Sequence, residues 1–256
     1  MVKKTHVLGE SLAIDPAVQT FFVALENLSA TEDHLLKVPP GTKWPSRGDY
    51  RPIHVRQCYG EMHNKMQQIL RRKESKGNII VAGAPGIGKW FFALCWLFRA
   101  VKEGRTVMYE VGARSTIDYY ARSSGSLSCG TNGSGPPAAF DTARSDPNAI
   151  YLVDSRSDPT HYNRCSPIRF SCPREKNFHD FRKHGACILR MSLCGLDELE
   201  ECRERVHGAH LAKDYVITAI GVLGRVPRYV LEFTACLSTW NRKAAQNGEV
   251  CAALGN

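Results

Sequence analysis

Residues 83 to 90 read Gly-Ala-Pro-Gly-Ile-Gly-Lys-Trp, and this stretch restricts the fold more than any other. The pattern G-x-x-x-x-G-K-[ST] cradles phosphates with backbone N–H groups; its lysine reaches the outer phosphates and its last hydroxyl holds Mg²⁺. It works only between a strand and the start of a helix. Gly83, Gly86, Gly88 and Lys89 are in place, with Ala84, Pro85 and Ile87 completing the cradle, but Trp90 stands where the hydroxyl belongs. Residues 83–90 are therefore expected to hold ATP, with Mg²⁺ bound weakly or through water. The plain alternative is a glycine-rich strand-to-helix turn with no ligand. Trp90 likewise has two readings, a lost metal ligand or a core residue needed for its bulk.

The flanks have the required character. Asn78 to Ala82 is a short apolar, β-branched run of the kind that forms a buried parallel strand. Trp90 to Val101 is apolar, free of proline and long enough for a helix. Ala149 to Asp154 is a second apolar strand ending in a carboxylate, placed to position the Mg²⁺ shell, although an aspartate there also serves as an ordinary cap. Ser155 follows, where a water-activating glutamate often stands. Pro167 to Phe170 is a further strand, and Ser171 at its tip is a candidate sensor of the outer phosphate. Strands are also expected at Thr106 to Val111 and Ala186 to Met191. The order predicts an α/β fold: a P-loop NTPase parallel sheet of the AAA+/STAND type, loop strand central, with a small C-terminal helical lid. The expected division is a lead-in and linker over 1–50, the core over 51–192, the lid over 193–245 and a tail over 246–256.

Outside that frame the signals are weaker. Val23 to Leu36 has helical apolar spacing, and prolines 39, 40 and 45 then mark a linker. Ile53 to Arg56 is a short strand candidate. Cys58 to Arg72 is an amphipathic helix with Tyr59, Met62, Met66, Ile69 and Leu70 on one face, usually a core stripe, though Arg56 or Tyr59 could reach a nucleotide base. Residues 114–148 are rich in Ser and Gly and poor in apolar periodicity, so they read as a flexible loop, a lid or a degraded stretch. Asp197 to His207 reads as a helix capped by Asp197, with Leu196, Leu199 and Cys202 facing inward. A second helix is expected over Leu211 to Leu223, and a third opens at Arg225 to Leu231.

Composition excludes some classes. At 43% hydrophobic residues the chain can bury a sizeable core. No apolar run reaches the ~20 residues of a membrane span, and residues 1–6 are basic without the apolar stretch of a signal peptide; the protein is expected either to be intracellular or to leave the cell by a route these residues do not encode. The ten cysteines include no C-x-x-C pair and read as free thiols in a reducing compartment. Cys202, His207 and His210 match no zinc spacing. The net charge of +9 permits non-specific contact with nucleic acid, but no base-reading pattern accompanies it, and a solvated basic face explains it equally well.

Five separate segments, in one order, resemble the NTPase domain of Crinkler proteins and of the related retrotransposon hot spot proteins. They are Arg51 to Tyr59, Gly83 to Lys89, Tyr151 to Asp154, Glu198 to Arg203, and Gly224 to Leu231. The similarity spans roughly residues 37 to 234. It implies an ATP-binding module, and it implies that a Gly-x-x-Pro-Arg segment opens the lid, with Pro227 near the base and Arg228 at the phosphates. Read from the residues alone, Arg228 caps a helix or pairs with Asp197 or Glu201. Many Crinkler proteins act as effectors that enter host cells and reach the nucleus, so the resemblance implies that destination here. This chain differs from the family in Trp90, in the Ser/Gly-rich 114–148, and in lacking both the family's leader and a nuclease-like segment after residue 234, so a degenerate or truncated copy is expected. The functions left standing are a weakly or non-hydrolysing ATP-binding module, a nucleotide-gated protein-interaction module, and a basic nucleic-acid-associated fragment.

Overall fold

The computed structural model describes residues 16–28, 34–44, 51–71, 78–111, 117–123, 126–132, 142–143, 145–154, 165–174, 179–183, 185–208 and 211–233. The chain forms two compact units: residues 1–83 with 89–191, and residues 84–88 with 192–256.

The first unit is built on a seven-stranded sheet. Its strands are β3 (Ile79–Ala82), β4 (Val107–Val111), β5 (Ile117–Ser123), β6 (Ser126–Asn132), β7 (Ile150–Asp154), β8 (Ser166–Ser171) and β9 (Cys187–Arg190), in the order β6-β5-β4-β7-β8-β3-β9. The five strands from β4 to β9 run parallel. The loop strand β3 lies between β8 and β9, and β8 separates it from the Asp154 strand β7. This is the expected α/β arrangement, a mostly parallel sheet with the loop strand inside it. The continuous apolar runs of β3 and β7 make sense here, because every residue of both strands is buried.

Helix α3 (Lys89–Lys102) has ten buried residues of fourteen, so it is apolar nearly all round and sits inside the unit. Its Phe92 ring lies 6.0 Å from Phe170 on one side and 5.0 Å from Tyr59 of α2 (Gln57–Arg71) on the other. Tyr59, Met62 and Met66 of α2 are buried as their spacing predicts, while Ile69 and Leu70 are only half-buried. The register aligns Val81, Phe170 and Asp154, and strand pleating puts them on one face, the face that α3 covers.

Two expectations fail in this unit. The apolar spacing over 23–36 does not form one helix: α1 is Pro16–Asn27, and Leu35–Leu36 is instead strand β1, paired antiparallel with β2 (Ile53–His54). Positive φ at His34 breaks the run just before β1. The larger correction concerns 114–148. Its described residues include the hairpin β5–β6, paired from Ile117↔Asn132 to Ser123↔Ser126 and added to the sheet through β4. Tyr119 and Tyr120 are buried on its opposite faces, and Tyr120 Oη donates to Glu26 Oε1 of α1 at 2.6 Å. Large aromatic side chains here replace the aliphatic alternation that a strand usually displays.

A short helix α4 (His179–Lys183) precedes β9 in the first unit, and the second unit's C-terminal part is helical: α5 (Leu196–Cys202), a π-helical turn Arg203–His207, α6 (Lys213–Leu223) and a π-helical segment Arg228–Phe233. Its core is Cys194, Leu199, Leu211, Val216, Val230 and Leu231. Arg203 ties it together, reaching Glu200 through two bonds of 3.0 and 2.9 Å and Leu211 O at 2.9 Å. Asp197 does not cap α5; Gly195 is the N-cap, and its N–H donates to Glu198 Oε2 at 3.3 Å. Leu199 is buried and Cys202 partly buried against this core as expected, but Leu196, the first residue of α5, is exposed. The predicted helix over 197–207 loses α-helical hydrogen bonding after Cys202, and α6 begins at Lys213 rather than Leu211.

Candidate phosphate-binding loop

Strand β3 ends at Ala82, and Gly83 leaves the sheet with its N–H donating to Ser171 O at 3.3 Å. On the other flank Met191 N–H donates to Ala82 O at 2.8 Å. The loop strand is thus held on both sides up to its last residue. A tight turn follows, with Ile87 N–H donating to Ala84 O at 3.3 Å. Gly86 and Gly88 have φ of +80° and +106°, a region that side chains disfavour, which is why glycine occupies these two places. Ile87 is buried, and α3 begins at the next residue after Gly88.

Lys89 is the first residue of α3. Its side chain is buried, and Nζ donates to Gly83 O at 2.7 Å, so the ammonium folds back over the first glycine of its own motif. An ammonium taken out of water requires polar partners. Trp90 is half-buried, with its ring 5.0 Å from Phe91 in an edge-to-face contact. Phe92, rather than Trp90, is the aromatic residue of this turn that fills the core between α3, α2 and β8.

Asp154 ends β7 and is buried. It shares the α3-covered face with Phe170 and Val81. Ser171 is also buried at its strand end, but pleating places it with Ala82 and Arg169 on the opposite face from Asp154. The interaction of Ser171 visible here is through its carbonyl, on Gly83. Arg56 is buried with its guanidinium carbon 5.9 Å from the Tyr59 ring centre, a cation–π contact inside the first unit. Ser155 lies outside the described residues.

In the second unit, Arg228 N–H donates to Gly86 O at 3.3 Å. The Arg228 guanidinium lies 3.7 Å from Glu232, one helical turn on, and not with Asp197 or Glu201; Glu201 pairs with Arg205 at 3.1 Å. Sequence reasoning missed Val226, which packs with Arg228 against Gly86. The Gly-x-x-Pro-Arg spacing marked that segment but not its contact.

The donors suit phosphate better than metal. The loop has two positive-φ glycines, a fourteen-residue helix starting directly behind it, and a buried ammonium, the combination that favours an anion at a helix start. For a divalent cation the motif offers Asp154, but at position 90 an indole with no oxygen. Among the described residues no three His, Cys, Asp or Glu side chains gather as a metal site; His210, named with Cys202 and His207 in the sequence, lies outside them. The eight described cysteines are free thiols, and burial pushes the Cys95 thiol up to about 12.

No protein-family model matches the chain, and no curated protein matches it. Among solved structures it is similar to the Holliday junction branch migration motor RuvB of Thermotoga maritima, with TM-score 0.39 and 13% identity over 75% of this chain and 64% of that one. It is also similar to AMPPCP-bound DnaA of Aquifex aeolicus, with TM-score 0.44 and 13% identity over 76% of this chain and 68% of that one. The chain spans 64% of the motor's length, just under two thirds.

Proposed function

We propose that the chain is a nucleotide-binding P-loop module that holds ATP and hydrolyses it weakly or not at all. The observation that carries this reading is the buried Lys89 at the foot of α3, directly after the glycine turn and with Trp90 in the hydroxyl position. Backbone N–H groups of the loop surround the phosphates, and Lys89 neutralises the outer ones. Bound Mg²⁺ would supply charge neutralisation at the β- and γ-oxygens. Asp154 would hold that metal through water, and by resemblance Arg228 would add a positive charge at the phosphates. Ser171 orders the loop strand through its carbonyl. Without the hydroxyl, nucleotide affinity should depend little on Mg²⁺. The resemblance to Crinkler NTPase domains supports the same reading, and with it we propose an effector-type role within a host cell.

Calorimetric titration with ATP and ADP, each with and without Mg²⁺, tests this. Binding with similar affinity in all four titrations supports it, and no heat with either nucleotide overturns it.

A second reading is a nucleotide-gated module that docks a protein. Tyr215 and Val222 favour it, because both are exposed and, seven residues apart, lie on one face of α6 as a small apolar patch. Measured ATP turnover favours the first reading over the second.

A further inference from the structure

Residues 84–88 belong to the same compact unit as the C-terminal helical segments. Gly86 is where they meet. Its carbonyl accepts the Arg228 N–H at 3.3 Å. A Cβ at Gly86 would stand 2.7 Å from Arg228 Cβ, 3.3 Å from Arg228 Cδ and 3.3 Å from Val226 Cγ1. The peptide plane between Gly86 and Ile87 is therefore fixed at both ends: Arg228 N–H holds its oxygen, and Ala84 O accepts its N–H. The opposing surface is itself well anchored. Val226 O accepts Tyr229 N–H at 3.0 Å and Val230 N–H at 3.1 Å, and Val230 and Leu231 sit in the unit's core.

We propose that the Val226–Arg228 turn is a latch on Gly86 that sets the turn of the phosphate loop before nucleotide arrives and slows nucleotide release afterwards. This rests on the reading that the loop holds a nucleoside di- or triphosphate. The latch works through main chain and aliphatic stem, separately from the charge of Arg228, whose head is held by Glu232. A loop already fixed loses less conformational freedom on binding, and the gain appears mainly as slower dissociation. It also gives Gly86 a second reason to be glycine: beyond its positive φ, there is no room for a side chain beneath Arg228.

Two measurements test the latch. The first is amide hydrogen exchange of the wild-type chain without nucleotide. Arg228 N–H, whose acceptor is a loop carbonyl, should be protected alongside Val230; exchange of Arg228 at the unprotected rate overturns the proposal. The second is release of a fluorescent ADP analogue chased with unlabelled ADP. Val226→Ala keeps the backbone and removes one wall of the seat, so release should quicken by on the order of tenfold while Arg228 exchange rises. Unchanged release with a folded variant overturns the latch. If the wild-type chain binds no ADP analogue, the nucleotide reading fails, and the exchange measurement still decides whether the contact exists.

Discussion

At the scale of single residues, Lys89 and Trp90 make opposite demands. Burying an ammonium is costly unless an anion or several polar atoms receive it, and Lys89 Nζ has Gly83 O at 2.7 Å. Lys89→Ala removes the charge that faces the outer phosphates. ATP affinity should fall at least tenfold in calorimetry, with a cooperative melting transition showing that the variant is folded. A variant that keeps wild-type affinity would place the nucleotide elsewhere. Trp90→Ser restores a hydroxyl ligand, so Mg²⁺-dependent turnover should rise. Trp90 is half-buried, so the stability cost should fall below the ~3–5 kcal/mol of a fully buried tryptophan truncation. A folded Trp90→Ser chain with no gain in turnover would show that the hydroxyl does not limit hydrolysis. The places of Lys89 at the start of α3, of Asp154 at the end of β7 and of the glycines in the turn were legible because neighbouring letters fix them. Val226 on Gly86 was not, because that contact depends on how remote segments pack.

At the scale of elements, apolar runs were the reliable guide. β3, β7 and α3 stand within a residue or two of where their continuous hydrophobicity placed them, because burial on all sides leaves no other way to satisfy such runs. The hairpin β5–β6 escaped because its core contribution comes from Tyr119, Tyr120 and Cys129 among Ser, Gly and Thr, a pattern that imitates a loop. Leu35 and Leu36 misled in the opposite direction, extending a helical spacing into what is a strand. The α2–α3 packing carries its own test. His63 of α2 is buried with its ring 4.8 Å from Trp96 of α3. Burial first, then Arg99 and Arg105, holds its pKa down to about 4 from 6.5, with the Asn64 side chain opposing. A lowered histidine pKa means that the unfolded chain takes up the proton first. Stability from neutral His63 is complete above about pH 6.5 and is lost as pH falls toward 4, by roughly 1–3 kcal/mol. Denaturant midpoints at pH 7 and pH 5 should differ in the wild type, and the difference should shrink in His63→Gln. An equal loss in both would assign the acid sensitivity to other groups.

For the whole molecule, the strongest physical statement is its charge. A net +9 on 256 residues creates a field that attracts any polyanion. Some basic side chains are held by acidic or carbonyl partners: Arg203 by Glu200, Arg205 by Glu201, Lys213 by Glu200, Arg228 by Glu232 and Arg105 by Asn148 O. The sequence scatters the remaining positive charge without a base-reading pattern, so contact with DNA should rest on a few phosphates at a time. Binding to duplex DNA should therefore be weak, indifferent to sequence and confined to low salt. With about four phosphate contacts, raising salt from 50 to 200 mM should weaken it by about two decades. Fluorescence anisotropy with two unrelated duplexes of equal length measures this directly. Equal affinities falling together with salt would leave the basic charge as a general field around a nucleotide module. An affinity for one duplex that survives 200 mM salt would instead mean that side chains read base edges, and would make the third function, a nucleic-acid-associated one, the better account of the chain.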